Sequence, residues 1–123
     1  MPPLSMQHFR ETGRRLAIAL AALSLSVWAG AARAGDTPEF ELTIKDHRFE
    51  PEAIHVPAGV QFKLVVHNTD PTSEEFESYE LNRERVIPGD TTANIYIGPL
   101  DPGTYPFFGE FNQSTAKGQI IAE

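Results

Sequence analysis

Carboxylate side chains are concentrated between residues 74 and 84, where five glutamates fall within eleven positions: Glu74, Glu75, Glu77, Glu80 and Glu84. Carboxylates this close raise each other's pKa unless a cation lies among them. In an extended strand Glu75 and Glu77 share one face, whereas Glu74 and Glu80 share the opposite face with Phe76. The pattern indicates a candidate cation site, and a solvated strand face is the alternative interpretation.

Two more side chains are candidate ligands for the same cation. His47 lies in a predicted loop between the first two strands, and Glu110 follows Gly109, which permits unusual backbone conformations. The alternatives are a solvated loop histidine and an exposed loop acid. We therefore predict a metal site drawn from the following residues: His47, Glu75, Glu77, Glu84 and Glu110.

Sulfur ligands are excluded from the predicted domain. The chain has no Cys, and its two Met residues, Met1 and Met6, lie in an N-terminal segment that we expect to be removed. Imidazole and carboxylate ligands without sulfur suit Fe(II), Mn(II), Zn(II) or Cu(II). The lack of Cys also excludes disulfides from the exported chain.

The N-terminal segment has the three parts of a secretory signal peptide. Arg10, Arg14 and Arg15 precede an apolar run over residues 16–32, and Ala32-Arg33-Ala34 is a small-x-small cleavage pattern. We predict a signal peptide at residues 1–34, a domain at residues 35–123, a periplasmic location and no stable membrane insertion after cleavage. An uncleaved anchor is the alternative, and export by the general or the twin-arginine route stays open.

The predicted mature chain is strongly acidic. It carries six Lys and Arg residues against sixteen Asp and Glu residues, a net charge of −10 with His neutral. Such a surface repels nucleic acid and anionic membrane and attracts cations. No phosphate-binding loop, dinucleotide motif or nucleophile–base motif is present, which argues against hydrolases and nicotinamide enzymes.

Alternation of apolar and polar residues predicts an all-β domain. Seven or eight short strands are expected, at residues 40–45, 53–56, 60–67, 75–81, 85–87, 92–100, 104–108 and 118–123. Residues 46–52 are expected to form a loop, and Val60 to point inward. The predicted architecture is an antiparallel Greek-key β-sandwich. Its predicted core contains Phe40, Phe49, Phe62, Leu64, Phe76, Ile95, Tyr105 and Phe107.

Three segments in the same order resemble the cupredoxin family. They are "FEPEAIHVPAGV" (49–60), "HNTDPTSEEFE" (67–77) and "GPLDPGTYPFF" (98–108). The resemblance covers about residues 40–122 and implies a cupredoxin-like fold. Its blue-copper ligands, two His, a Cys and a weak axial Met, do not carry over. Their positions correspond to Glu74 or Glu75, Gly109, Asn112 or Gln113, and Ala116.

A narrower resemblance is to the cupredoxin-like periplasmic component of bacterial ferrous-iron uptake systems. It is carried by "DHRFEP" (46–51), "EEFESYELNRERVIPG" (74–89) and "YPFFGEFNQSTAKG" (105–118), although Asn112 stands where a His often follows "GEF" in that group. The resemblance implies an iron or copper ion as the bound group and no organic cofactor. It also implies an inner-membrane iron permease and other periplasmic uptake components as partners.

The resemblance leaves the activity open. It implies a metal-binding or electron-transfer accessory, with ferroxidase-type oxidation of ferrous iron as a further option. The alternative is a metal-free interaction module that kept the cupredoxin fold and lost its chemistry.

Overall fold

The computed structural model describes residues 36–123, and nine strands account for most of them. The strands are β1 (Glu39–Lys45), β2 (Arg48–Glu50), β3 (Ala53–Val56), β4 (Phe62–Asn68), β5 (Glu74–Ser78), β6 (Arg83–Ile87), β7 (Thr91–Ile97), β8 (Gly103–Gly109) and β9 (Lys117–Ala122). A 3₁₀ helix at Glu110–Asn112 follows β8. The described part contains no helix long and apolar enough to cross a membrane. The predicted signal peptide, residues 1–34, lies outside the described residues.

The strands form two mixed sheets. The first has the order β2-β1-β4-β7 and the second the order β3-β9-β8-β5-β6. The β1–β4 and β3–β9 pairs are parallel, and the other pairs are antiparallel. The connections β2–β3, β3–β4, β4–β5, β6–β7 and β7–β8 pass from one sheet to the other. The predicted all-β sandwich is therefore confirmed. The expectation of purely antiparallel sheets is wrong, because the chain passes through β2 and β3 to the other sheet before β4 returns parallel to β1, and β3 pairs in parallel with β9.

The core follows from the period of two in the strands. In β4, Phe62, Leu64 and Val66 are fully buried, because alternate residues of this strand face the opposite sheet. Aromatic rings fill the centre: the Phe107 ring lies 5.0 Å from both the Phe49 and Phe76 rings. All the predicted core residues are buried or pack partly buried against this cluster.

Two further details of the predicted fold are wrong. Residues 48–50 form strand β2 rather than a loop, because a two-residue turn returns the chain directly onto β1. Both turn residues, Asp46 and His47, have positive φ, 54° and 59°, as tight hairpin turns require. Val60 is 40% exposed, because it precedes β4 and lies outside its alternating pattern.

Two arginines bridge the sheets at one edge. The guanidinium groups of Arg83 and Arg85 donate to backbone oxygens of β7, at Tyr96 (3.0 Å) and Asn94 (3.2 Å). These bonds satisfy carbonyl groups on an edge strand. They also direct the two arginines toward the first sheet, so that Glu84, between them in β6, points to the outer face.

Candidate metal centre

The outer face of the β5–β6 hairpin brings three of the predicted ligands together. Glu77 lies directly opposite Glu84 in the antiparallel pair, and Glu75 is two residues from Glu77 on the same strand. Glu75 and Glu77 are half-buried and Glu84 is exposed, whereas their neighbour Phe76 is buried in the core. Strand alternation therefore presents all three carboxylates on one side of the sheet.

The three carboxylates converge. One oxygen from each of Glu75, Glu77 and Glu84 lies within 4.8 Å of the other two. Oxygen ligands bind small divalent cations at about 2.0–2.2 Å, so that two ligands of one ion are at most about 4.4 Å apart. Small rotamer changes would bring these oxygens to that distance. We define Glu75, Glu77 and Glu84 as the acidic triad.

The electrostatics of the acidic triad centre on Glu75. Desolvation, followed by the hydrogen bond and charge of Glu84 and then by Glu77, raises the pKa of Glu75 to about 7. Near pH 7 the Glu75 carboxyl group is therefore partly protonated and partly ionised. A cation among the three groups would displace that proton, because its positive charge favours the ionised carboxylates.

His47 lies elsewhere, at a junction of three loops. Asp70 accepts hydrogen bonds from the backbone N–H groups of Asp46 (2.7 Å) and His47 (2.9 Å), and its Oδ2 lies 3.6 Å from His47 Nδ1. The Thr115 hydroxyl donates to the His47 carbonyl oxygen. His47 therefore lies beside the loop that follows the 3₁₀ helix, and it contributes no ligand atom to the acidic triad.

Glu110 is the first residue of the 3₁₀ helix and is half-buried. It too contributes no ligand atom to the acidic triad. Of the five predicted ligands, the structure thus brings together Glu75, Glu77 and Glu84, and it places His47 and Glu110 outside that cluster.

Glu74 is a buried carboxylate whose burial the sequence analysis did not predict. Its side chain is 1% exposed and accepts three hydrogen bonds, from the backbone N–H groups of Phe111 (2.9 Å) and Glu75 (3.0 Å) and from Asn112 Nδ2 (2.7 Å). These bonds offset part of the cost of burying the group. The burial of Glu74 could have been predicted from the core position of Phe76, because residues two apart in a strand share a face.

The four positions that the resemblance assigns to blue-copper ligands meet around the Glu74 carboxylate. A Cβ added at Gly109 would lie 2.6 Å from Glu74 Cδ and 2.7 Å from Ala116 Cβ, and Asn112 donates to Glu74. Of the alternatives left open above, the structure places Glu74 and Asn112 at this point. The carboxylate and its hydrogen-bond donors fill the space between the loops.

Known proteins share both the sequence pattern and the fold. A family model described as "Cupredoxin-like domain" matches residues 16–122. The uncharacterized protein RP394 of Rickettsia prowazekii is 47% identical over 83 residues, which cover 68% of this chain and 66% of RP394. The iron uptake system component EfeO of Yersinia pseudotuberculosis is 38% identical over 100 residues. That match covers 75% of this chain but only a quarter of EfeO.

Solved structures agree on the fold. The metal-binding domain of the Cu(I)-exporting ATPase CopA of Streptococcus pneumoniae superposes with a TM-score of 0.65 at 17% identity, covering 76% of this chain and 92% of that domain. Auracyanin A, a blue copper protein of Chloroflexus aurantiacus, gives a TM-score of 0.62 at 10% identity, covering 72% of this chain and all of auracyanin. Identities this low show the fold alone. Because the family model matches most of the chain, the protein belongs to the cupredoxin-like domain family, in a form without the Cys ligand of blue copper.

Proposed function

We propose that this protein binds a divalent metal ion through the acidic triad and serves an iron-uptake system. The observation that carries the proposal is the convergence of three carboxylate oxygens within 4.8 Å on two paired strands. Strands hold ligands more rigidly than loops do, which favours a defined site. Three carboxylates without sulfur or imidazole suit hard divalent cations in general, so the choice of ferrous iron rests on the iron-uptake relative, with Cu(II) as the second metal that the same donors would accept.

The assignment to iron uptake is supported by the relatives. The chain is 38% identical over 100 residues to a protein whose name is iron uptake system component EfeO. In the proposed role, the protein is exported to the periplasm and its signal peptide is cleaved near Ala34. The mature protein then delivers its ion to an inner-membrane iron permease. Oxidation of ferrous iron is a further step that would require Cu(II) at the site as electron acceptor and oxygen as the terminal oxidant. A metal-free interaction module is the competing function.

His47 and Glu110 have a different place in this proposal. Because neither contributes an atom to the acidic triad, we propose that the ion binds on the outer face of the sheet without them. Asp70 and Thr115 hold the His47 turn against the loop that follows the 3₁₀ helix of Glu110. His47 and Glu110 therefore both belong to the loop end of the sandwich.

Calorimetric titration tests the proposal. The protein is titrated anaerobically with Fe(II) and separately with Cu(II), and we expect a dissociation constant in the micromolar range, about 8 kcal/mol. Glu75→Gln and Glu77→Gln are expected to weaken binding at least about tenfold, or 1.4 kcal/mol. Gln keeps the size of each side chain and removes its charge.

Three control variants locate the site. Glu80→Gln removes a carboxylate beside the triad, whereas His47→Ala and Glu110→Gln alter the loop end, and all three are expected to leave affinity unchanged. Absence of heat with both metals would favour the metal-free module. Loss of binding only in the His47 and Glu110 variants would move the site to the loop end.

A further inference from the structure

An apolar groove of about 460 Å³ lies on the outer face of the second sheet, beside the acidic triad. We define the aromatic groove by five of its lining residues: Tyr79, Pro106, Phe108, Gln113 and Lys117. Beneath the groove the buried Phe107 ring packs against the Gly118 backbone, where an added Cβ would lie only 2.5 Å from Phe107 Cζ.

Aromatic side chains in the groove are open to solvent. Tyr79 is 73% exposed, and its ring lies 5.6 Å from the ring of half-buried Phe108. Paired aromatic rings at a concave surface provide apolar area that a partner can bury at low entropic cost. Contiguous exposed apolar surface with a polar rim is typical of interaction sites.

Strand register arranges charge across this surface in a fixed order. Glu84 lies opposite Glu77, Glu77 opposite Phe108, and Phe108 opposite Lys117. Directly opposed residues share a face, so the four side chains form one row across β6, β5, β8 and β9. With strands about 4.8 Å apart, the row is about 14 Å long. Along it the surface is acidic, then apolar, then basic.

We propose that the aromatic groove docks an extended segment of a partner protein whose side chains alternate as basic, apolar and acidic. Same-face side chains of an extended chain repeat about every 6.8 Å, so positions i, i+2 and i+4 span about 14 Å and match the row. The basic side chain faces Glu77 and Glu84, the apolar one enters the groove beside Phe108, and the acidic one faces Lys117. This interaction goes beyond the proposed metal binding, and it applies to the metal-free protein because the basic side chain and a bound cation would use the same carboxylates of Glu77 and Glu84.

Charge favours a foreign partner over a second copy. The predicted mature chain has a net charge of −10, so two copies repel each other, whereas a partner with a basic segment is attracted over a long range. The same charge disfavours an anionic membrane as the occupant. The row is self-complementary in sign, and dimerisation is therefore one outcome that the experiment must detect.

Two peptides of equal composition test the proposal against protein expressed from the full-length chain and labelled with ¹⁵N. The matched peptide has the order Arg-Thr-Leu-Thr-Glu, and the control peptide has the order Arg-Thr-Glu-Thr-Leu. We expect the matched peptide to bind at least about tenfold more tightly. We also expect amide shifts confined to the surroundings of Tyr79, Phe108 and Lys117. Equal affinity for both peptides would mean that net charge alone, and not the order of side chains, determines binding, and it would overturn the proposal.

Variants add a second, independent readout. Phe108→Ser is expected to abolish peptide binding, whereas Val86→Ser, on the same outer face but outside the groove, is expected to leave it unchanged. Lys117→Glu should weaken binding of the matched peptide and create binding of a third peptide, Arg-Thr-Leu-Thr-Lys, whose last residue is basic. A general loss of folding would not produce this exchange of specificity. Failure of this exchange, or concentration-dependent dimerisation that Lys117→Glu abolishes, would contradict docking of a foreign segment. Retained Fe(II) binding in Phe108→Ser separates this result from a failure of the metal site.

Discussion

At the residue scale, the chain uses its glutamates in two distinct ways. Glu74 is buried among hydrogen-bond donors, whereas Glu75, its neighbour, belongs to the solvent-facing acidic triad. The two residues differ because consecutive side chains in a strand point to opposite faces of the sheet. Glu74 and its hydrogen bonds stabilise the loop end of the sandwich. The acidic triad leaves three mutually repelling carboxylates on the surface, which a bound cation would stabilise.

Removing the Glu74 side chain should destabilise the fold. Glu74→Ala leaves the Phe111 N–H and the Asn112 amide without their acceptor and opens a cavity between the loops. We expect the free energy of unfolding to fall by about 2–4 kcal/mol, measured by urea denaturation. Glu80→Ala, at an exposed position, is the control and should change stability by less than about 0.5 kcal/mol. Equal effects of the two variants would show that the buried hydrogen bonds contribute little.

The acidic triad should make stability depend on pH. The folded-state pKa of Glu75 is raised to about 7 from an ordinary value of 4.5, so the folded protein binds more protons than the unfolded chain between these values. Stability from this group is therefore greatest below pH 4.5 and falls as the pH rises through 7. We expect the metal-free protein to lose melting temperature between pH 5 and 8, and Glu75→Gln to reduce that loss. A slope unchanged by Glu75→Gln would contradict the assignment.

At the scale of elements, the close approach of Glu74 and Ala116 to the end of β8 depends on the missing Cβ of Gly109. At Gly109 an added Cβ would meet Glu74 and Ala116 at 2.6–2.7 Å, whereas at Gly103, in the same strand, its nearest contact would be an ordinary 3.7 Å. Because protein interiors are closely packed, a Cβ added at Gly109 would overlap with Glu74 and Ala116 and has no free space to move into.

Matched alanine substitutions in β8 test this difference. Gly109→Ala should cost about 1–3 kcal/mol of unfolding free energy through overpacking, with Gly103→Ala as the control of the same chemical change. Gly103→Ala is expected to be neutral or slightly stabilising, because it restricts the unfolded chain. Thermal denaturation of both variants measures the difference, and equal melting temperatures would contradict the packing described here.

Predictability from sequence also differs between elements. Strands with clean alternation, such as β4 and β7, could be predicted because one face is buried and the other is not. Strand β2 could not, because a three-residue strand has no period and its turn, Asp46-His47, lacks the glycine that usually marks positive φ. The grouping of Glu77 with Glu84 depends on hairpin register, which the sequence left open.

At the scale of the whole molecule, one fold separates three surfaces. The loop end is closed by Glu74 and its donors, the outer face of β5 and β6 presents the acidic triad, and the aromatic groove lies beside it. The cupredoxin-like sandwich thus supplies a rigid frame on which the proposed metal site lies on a sheet face rather than among loops. Fold alone does not assign the function, which depends on these side chains.

The location of a bound ion tests this account most directly. Mn(II), which suits the same oxygen ligands, broadens the NMR signals of nearby amides, and its addition to the ¹⁵N-labelled protein would map the site. We predict selective broadening along β5 and β6 around Glu75, Glu77 and Glu84, and its loss in Glu75→Gln. Broadening centred instead on His47 and Glu110, or distributed over all acidic surface residues, would contradict a metal site at the acidic triad.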